Sequence, residues 1–184
     1  MKGLIVYKGR YSATRQYAKW LSEELRLPAY VSDIANEDDV DNADFVIIGS
    51  SVYIGKLQIK KWLLRNAKAL SGKKLFFFMV CGTPSDKKEQ LQSYIDAAVP
   101  LEIRDRVKVF VLPGRMIYKK LSTKDKFMLR MGAMLSRDAK VKKEMLTDYD
   151  AVKKENIEPL LRETKAYFND TVQKNLRKTE RAIA

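Results

Sequence analysis

Three stretches of this chain are apolar from end to end: Leu4-Ile5-Val6-Tyr7, Phe45-Val46-Ile47-Ile48-Gly49 and Leu75-Phe76-Phe77-Phe78-Met79-Val80. A strand that alternates apolar with polar residues keeps one face wet. These runs have no wet face, so both sides must be covered. Amphipathic stretches lie between them. Tyr17, Ala18, Leu21 and Leu25 recur at helical spacing before Pro28, and Ile59, Trp62, Leu63 and Ala67 share one face of a helix predicted over 58–70. Weaker strand signals stand at Ala29-Tyr30-Val31 and at Val107 to Leu112. Further helices are predicted over 86–98 and over 150–170, the last with Val152, Ile157, Leu160, Leu161 and Phe168. Five buried strands alternating with helices make an α/β, doubly wound parallel sheet, and the order 2-1-3-4-5 suits the count.

One segment stands outside this pattern. Residues 114–149 are too long for an ordinary connection and read as a functional insertion after strand five. Residues 1–172 form a single domain with that insertion, and 173–184 are a basic tail. The charge follows the same division. The net charge is +13, of which residues 115–143 alone carry +8. Such a patch calls for an anionic partner: lipid, nucleic acid, an acidic protein or a carboxylate-bearing substrate.

Composition excludes several chemistries. There is no histidine, which removes the commonest general base and metal ligand. A single cysteine, Cys81, makes neither an internal disulfide nor a dedicated metal site and fits a reducing, cytoplasmic setting. No metal is expected. The apolar run at the N-terminus is too short for a signal peptide, and none is long enough to span a membrane. If the chain is an enzyme, a cofactor carries the chemistry and no side chain is assigned a catalytic role.

In an open parallel sheet, ligands bind beyond the carboxyl ends of the strands, where three loops converge. The first contains Gly9, Arg10, Tyr11, Ser12, Ala13, Thr14 and Arg15 between a strand and a helix N-terminus. Its backbone N–H groups and two hydroxyls suit a monophosphate, with Arg10 or Arg15 adding charge. It has neither a P-loop ending nor a GxGxxG fingerprint. The plain alternative is a helix capped by Ser12 with no ligand. The second loop, Ser51-Val52-Tyr53-Ile54-Gly55, sets an aromatic ring among small residues, as stacking on a flat ligand requires, and Gly55 accepts either sign of φ. A ring that merely covers the sheet edge is the competing reading. The third, Cys81-Gly82-Thr83, offers free N–H groups to a polar ring edge, unless it is only a turn before a helix.

Taken together, the loops resemble those of the flavodoxin family. The closer resemblance is to flavodoxin-like, menaquinone-dependent protoporphyrinogen dehydrogenases. It rests on Arg10 with Thr14-Arg15, on Ser51 to Gly55, and on the order within the insertion: Gly114-Arg115-Met116-Ile117-Tyr118, then Lys126-Phe127-Met128-Leu129-Arg130-Met131, then Tyr149. It covers nearly the whole chain. It implies a flavodoxin-like fold that binds FMN, with Ser12, Ala13 and Thr14 around the phosphate and Tyr53, Gly55, Gly82 and Thr83 framing the flavin. It also implies oxidation of a tetrapyrrole-like substrate with transfer to a quinone. Two alternatives stand beside this: an electron-transfer protein that serves a partner redox enzyme, and a binding module whose flavin site has decayed. Tyr11 and Ala13, where the family has smaller or glycine residues, keep the second open.

The insertion predicts a helix over 126–135, with Phe127, Met128, Met131, Met134 and Leu135 on one face. Lys124, Lys126, Arg130 and Arg137 surround that face, and Arg115, Lys119, Lys120, Lys140, Lys142 and Lys143 extend the charge. Basic amphipathic helices lie on anionic membranes or grip acidic partners, and methionine packs adaptably. Arg115, Tyr118, Lys119, Lys120, Lys126 and Arg130 are therefore the candidates for contact with substrate, partner or a peripheral membrane surface. A helix packed on the sheet with a solvated basic rim is the plain alternative. Nucleic acid ranks low, because no reading motif accompanies the charge.

Overall fold

The computed structural model describes residues 1–135, 138, 142 and 146–183, with side chains placed through Lys174. Five strands run parallel: β1 (Gly3–Lys8), β2 (Ala29–Val31), β3 (Phe45–Tyr53), β5 (Lys74–Cys81) and β6 (Val107–Pro113), in the order β2-β1-β3-β5-β6. A two-residue strand, β4 (Lys56–Leu57), folds back antiparallel on the end of β3. Without β4 the order is the expected 2-1-3-4-5, and the fold is flavodoxin-like. The central register sets Ile5 beside Ile47 and Ile47 beside Phe76, so the most apolar runs lie next to one another.

Helices cover both faces. On one side Leu4, Val6, Val46, Ile48, Phe77 and Met79 pack under α2 (Glu37–Asp41), α3 (Lys60–Leu70) and α4 (Lys88–Asp96). On the other, Ile5, Phe45, Ile47, Phe76 and Phe78 pack under α1 (Ser12–Leu25) and the long last helix, here α7 (Glu158–Ile183). A short α5 (Leu101–Arg104) precedes β6. Each fully buried phenylalanine contributes about 1.5–3 kcal/mol, and Phe45, Phe76, Phe77 and Phe78 are all fully buried. Gly49 makes this stacking possible: a Cβ there would stand 2.1 Å from the Phe78 ring.

Sequence boundaries shift in three places. The acidic stretch after β2 contains α2, started by Asn36 and Asp39 in a reciprocal capping box. Strand β3 runs on through Tyr53 and turns at Ile54 and Gly55, with φ +49° and +66°, as a tight primed hairpin requires. Ile54 bears backbone strain there, because a β-branched residue rarely enters that region. The last helix starts at Glu158 after a 3-10 turn at Lys154–Ile157 and continues to Ile183.

The insertion is a built structure. Strand β7 (Arg115–Met116) pairs antiparallel with β8 (Tyr149–Asp150), a 3-10 turn follows at Tyr118–Lys120, and α6 spans Thr123–Leu135. The Gly114 N–H donates to Cys81 O at 3.0 Å and Ala151 N–H to Gly114 O at 3.2 Å, which ties both ends of the insertion to the sheet. Arg137, Lys140 and Lys143 lie outside the described residues. Among the described residues no helix is long and apolar enough to cross a membrane.

Candidate cofactor cleft and the chamber beneath the insertion

The three loops converge at the carboxyl edge of the sheet. Helix α1 begins at Ser12, so Ser12 is its first residue and not its cap. The cap position is Tyr11, whose side chain makes no capping hydrogen bond. The first-turn N–H groups therefore point into the loop without a side-chain acceptor. Thr14 reinforces this opening. Its side chain is fully buried and its Oγ1 has no hydrogen-bond partner among the described residues. It faces Gly9, where a Cβ would come within 2.6 Å of that oxygen. A hydroxyl left unpartnered in a buried position is costly, so the site is suited to an acceptor from outside the chain.

A narrow cleft of about 80 Å³ runs from this point between Arg10, Tyr11, Ala13 and Thr14 on one loop, Ser51, Val52 and Tyr53 on the next, and Cys81 and Gly82 on the third. Gly114, Arg115 and Tyr149 of the insertion close it. The Arg10 N–H donates to Ser51 Oγ at 3.3 Å and joins two of the loops. Gly82 admits a close approach: the Tyr149 hydroxyl lies 2.5 Å from where its Cβ would stand. Burial pushes both the Tyr149 phenol and the Cys81 thiol up from their ordinary values. Thr83 turns away, with its hydroxyl 3.3 Å from that of Tyr94. Gly55 and Ile54 form the hairpin tip, and Ile54 lines the space beyond.

That space is a wider chamber of about 430 Å³ under α6. Val52, Ile54, Met116, Leu121, Met128 and Leu129 give it apolar walls, while Tyr11, Tyr53, Arg115 and Asp125 line its polar side. Tyr11, Val52, Tyr53, Arg115 and Tyr149 border both cavities.

Asp125 is the residue the sequence reading missed. It is buried at 5% exposure in the first turn of α6. The Tyr11 and Tyr53 hydroxyls both donate to its carboxylate. Arg10 adds Nε to Oδ2 at 3.1 Å and Nη2 to Oδ1 at 3.4 Å, and its guanidinium lies over the Tyr53 ring at 4.4 Å. Burial alone would push the carboxyl up. The donors Tyr11, Tyr53 and Arg10 outweigh it and hold Asp125 well below the ordinary carboxylate range. The same bond pushes Tyr53 and Arg10 up. One available signal was an acid set in a strongly basic segment, three residues after Ser122, whose hydroxyl accepts the Asp125 N–H at 3.2 Å.

The six insertion candidates divide. Arg115 enters the cleft. Tyr118 stands apart, with Lys126 Nζ at 5.8 Å and Arg130 Cζ at 5.9 Å from its ring centre. Lys126 donates to Lys119 O at 3.2 Å, and Lys119, Lys120 and Arg130 are exposed. Helix α6 turns Asp125, Leu129 and Ala133 inward. Phe127 (64%), Met131, Met134 (76%) and Leu135 face out.

A family model described as flavodoxin domain matches residues 4–144. A protein of Methanocaldococcus jannaschii, itself uncharacterised, is 32% identical over 111 residues, 59% of this chain and 67% of its own. The protoporphyrinogen IX dehydrogenase [quinone] of Escherichia coli K12 is 26% identical over 164 residues, 83% of this chain and 91% of its own. Among solved structures, flavodoxin 2 of Bacillus cereus is 16% identical with a TM-score of 0.48, covering 61% of this chain and 84% of its own. A WrbA-like flavodoxin of Agrobacterium tumefaciens is 19% identical with a TM-score of 0.47, covering 78% and 96%.

Proposed function

The chain belongs to the flavodoxin domain family, and from that premise we propose that it is an FMN-dependent oxidoreductase that passes electrons between a flat, tetrapyrrole-like substrate and a quinone. The observation that carries this is the unpartnered, buried Thr14 Oγ1 at the uncapped start of α1, at the head of a cleft that opens into an apolar chamber. Ser12, Thr14 and the first-turn N–H groups would hold the phosphate. Val52, Tyr53 and Gly82 would frame the ring, with Tyr149 turned off Gly82 to admit it. Bound there, FMN supplies hydride and one-electron transfer. The chain's part is to exclude water beneath α6, to present Tyr53 and Arg115 at the junction of the two cavities, and to offer the substrate apolar walls. The likeness over 83% of this chain to an enzyme named for protoporphyrinogen IX and quinone supports the substrate class.

The outward face of α6 favours a second reading. An apolar stripe edged with basic residues would dock the same flavin site on an acidic redox partner. The same stripe would also seat the protein on an anionic membrane.

Titration of the purified chain with FMN, followed by desalting, tests the cofactor. We expect flavin absorbance retained at about one per chain. Turnover of a porphyrinogen with a quinone then separates the readings: turnover by the chain alone supports the enzyme, whereas bound flavin without turnover supports the carrier. A folded chain that retains no flavin overturns both and leaves the decayed site.

A further inference from the structure

The cleft has a positively charged residue that the first loop does not supply. Arg115 belongs to β7, 103 residues beyond Ser12, yet its Nη1 donates to Ser12 Oγ at 3.2 Å. Its Nε donates to Asp150 Oδ2 at 2.7 Å, on the directly paired residue of β8. The guanidinium is thus anchored through one edge and turned with the other to the start of α1. Among the described residues two of its five donors are used in this way, and the rest of the fork suits a planar, two-point contact with an oxyanion.

Two of the cations nearer in sequence are committed elsewhere. Arg10 bonds to Asp125 and stacks on Tyr53. Lys8 pairs with Asp33 at 2.5 Å. Arg15 is exposed and lines the outer side of the same loop, in a cleft shared with Tyr7, Gly9, Arg10, Tyr11, Ser12 and Val31, and does not border the cofactor cleft. On the side of the cofactor cleft, the cation that meets the start of α1 is Arg115 of the insertion. The buried, unpartnered Thr14 Oγ1 in the same turn points independently to an oxyanion there.

We propose that Arg115 is the phosphate-binding cation of the cofactor cleft, delivered by the insertion and aimed by Asp150, so that the insertion completes the cofactor site as well as the substrate chamber. This rests on the FMN reading above. It also accounts for a first loop that carries Tyr11 and Ala13: charge from across the cleft replaces close backbone approach.

The test compares FMN with riboflavin, which shares the ring and lacks the phosphate. Affinities for both are measured by fluorescence quenching on the full chain, its Arg115→Ala and Arg115→Lys variants, and Asp150→Asn, with circular dichroism to verify folding. Arg115→Ala should weaken FMN roughly 10- to 100-fold, the loss of a charged hydrogen-bond pair, and leave riboflavin within about twofold. Arg115→Lys, which keeps the charge but not the fork, should recover part of the loss, and Asp150→Asn should fall between. Equal losses for both flavins, or none for either, overturn the assignment while the FMN reading survives. A wild-type chain that binds neither flavin overturns the FMN reading, and the assignment with it.

Discussion

Asp125 draws donors from two separate loops onto one carboxylate, and its energetics are those of a buried ion held by hydrogen bonds. Replacing it with alanine would leave Arg10 and two phenols facing one another without an acceptor, which is the costly way to break such a group. Replacement with asparagine is gentler and gives a cleaner test. A carboxyl held below its ordinary 3.8 contributes stability that is complete above that value. The contribution drains away as pH falls below it toward the folded-state value. Wild type should therefore melt roughly 5 °C above Asp125→Asn near neutral pH, with the gap narrowing in acid. A gap that stays constant from pH 7 to 3 would show that the ionised carboxylate does not matter. A linear reading could mark Asp125 as an acid in a basic segment but not its cluster, because Arg10, Tyr11 and Tyr53 lie 115, 114 and 72 positions away. Gly82 and Tyr53, by contrast, could be placed at the carboxyl edge of the sheet from their positions at strand ends, and both line the cleft.

Helix α6 presents two faces with different partners. The inward face, Asp125, Leu129 and Ala133, repeats every four residues, and Asp125 and Leu129, with Met128, roof the chamber. The outward face carries Phe127, Met131, Met134 and Leu135 beside Lys124 and Arg130. Its apolar residues were legible as one stripe, but a sequence cannot say whether such a stripe meets the protein or something else. If the face rests on a membrane, co-sedimentation should show binding to vesicles rich in anionic lipid, weak binding to neutral ones, and release by salt. Replacing Phe127 and Met131 with serine should cut the bound fraction about tenfold, by losing buried apolar area. Equal binding to neutral vesicles, or no binding at all, would remove the membrane and favour the protein partner. The strands were easier to read than this helix because a run buried on both faces has only one environment. Helix α2 and the β3–β4 hairpin escaped because local capping and an isoleucine at positive φ decide them, and periodicity reports neither.

At the scale of the molecule, the chain divides into a sheet with its helices and an insertion laid over the carboxyl edge. The strand order could be read from the sequence because connectivity and handedness leave few alternatives. The way the insertion closes could not, since it depends on side chains that reach across the cleft, as Arg115 does to Ser12 and Tyr149 to Gly82. That last contact has a kinetic meaning. Tyr149 belongs to the insertion and its seat belongs to the sheet, so any flat ring entering over Gly82 must first unseat a side chain of the protein itself. Uptake then has a unimolecular opening step ahead of capture. In stopped-flow mixing, the observed rate with FMN should rise with concentration and level off at the opening rate. Tyr149→Ala should climb linearly over the same range. The site would thus set its own ceiling on how fast it is charged, however much cofactor surrounds it.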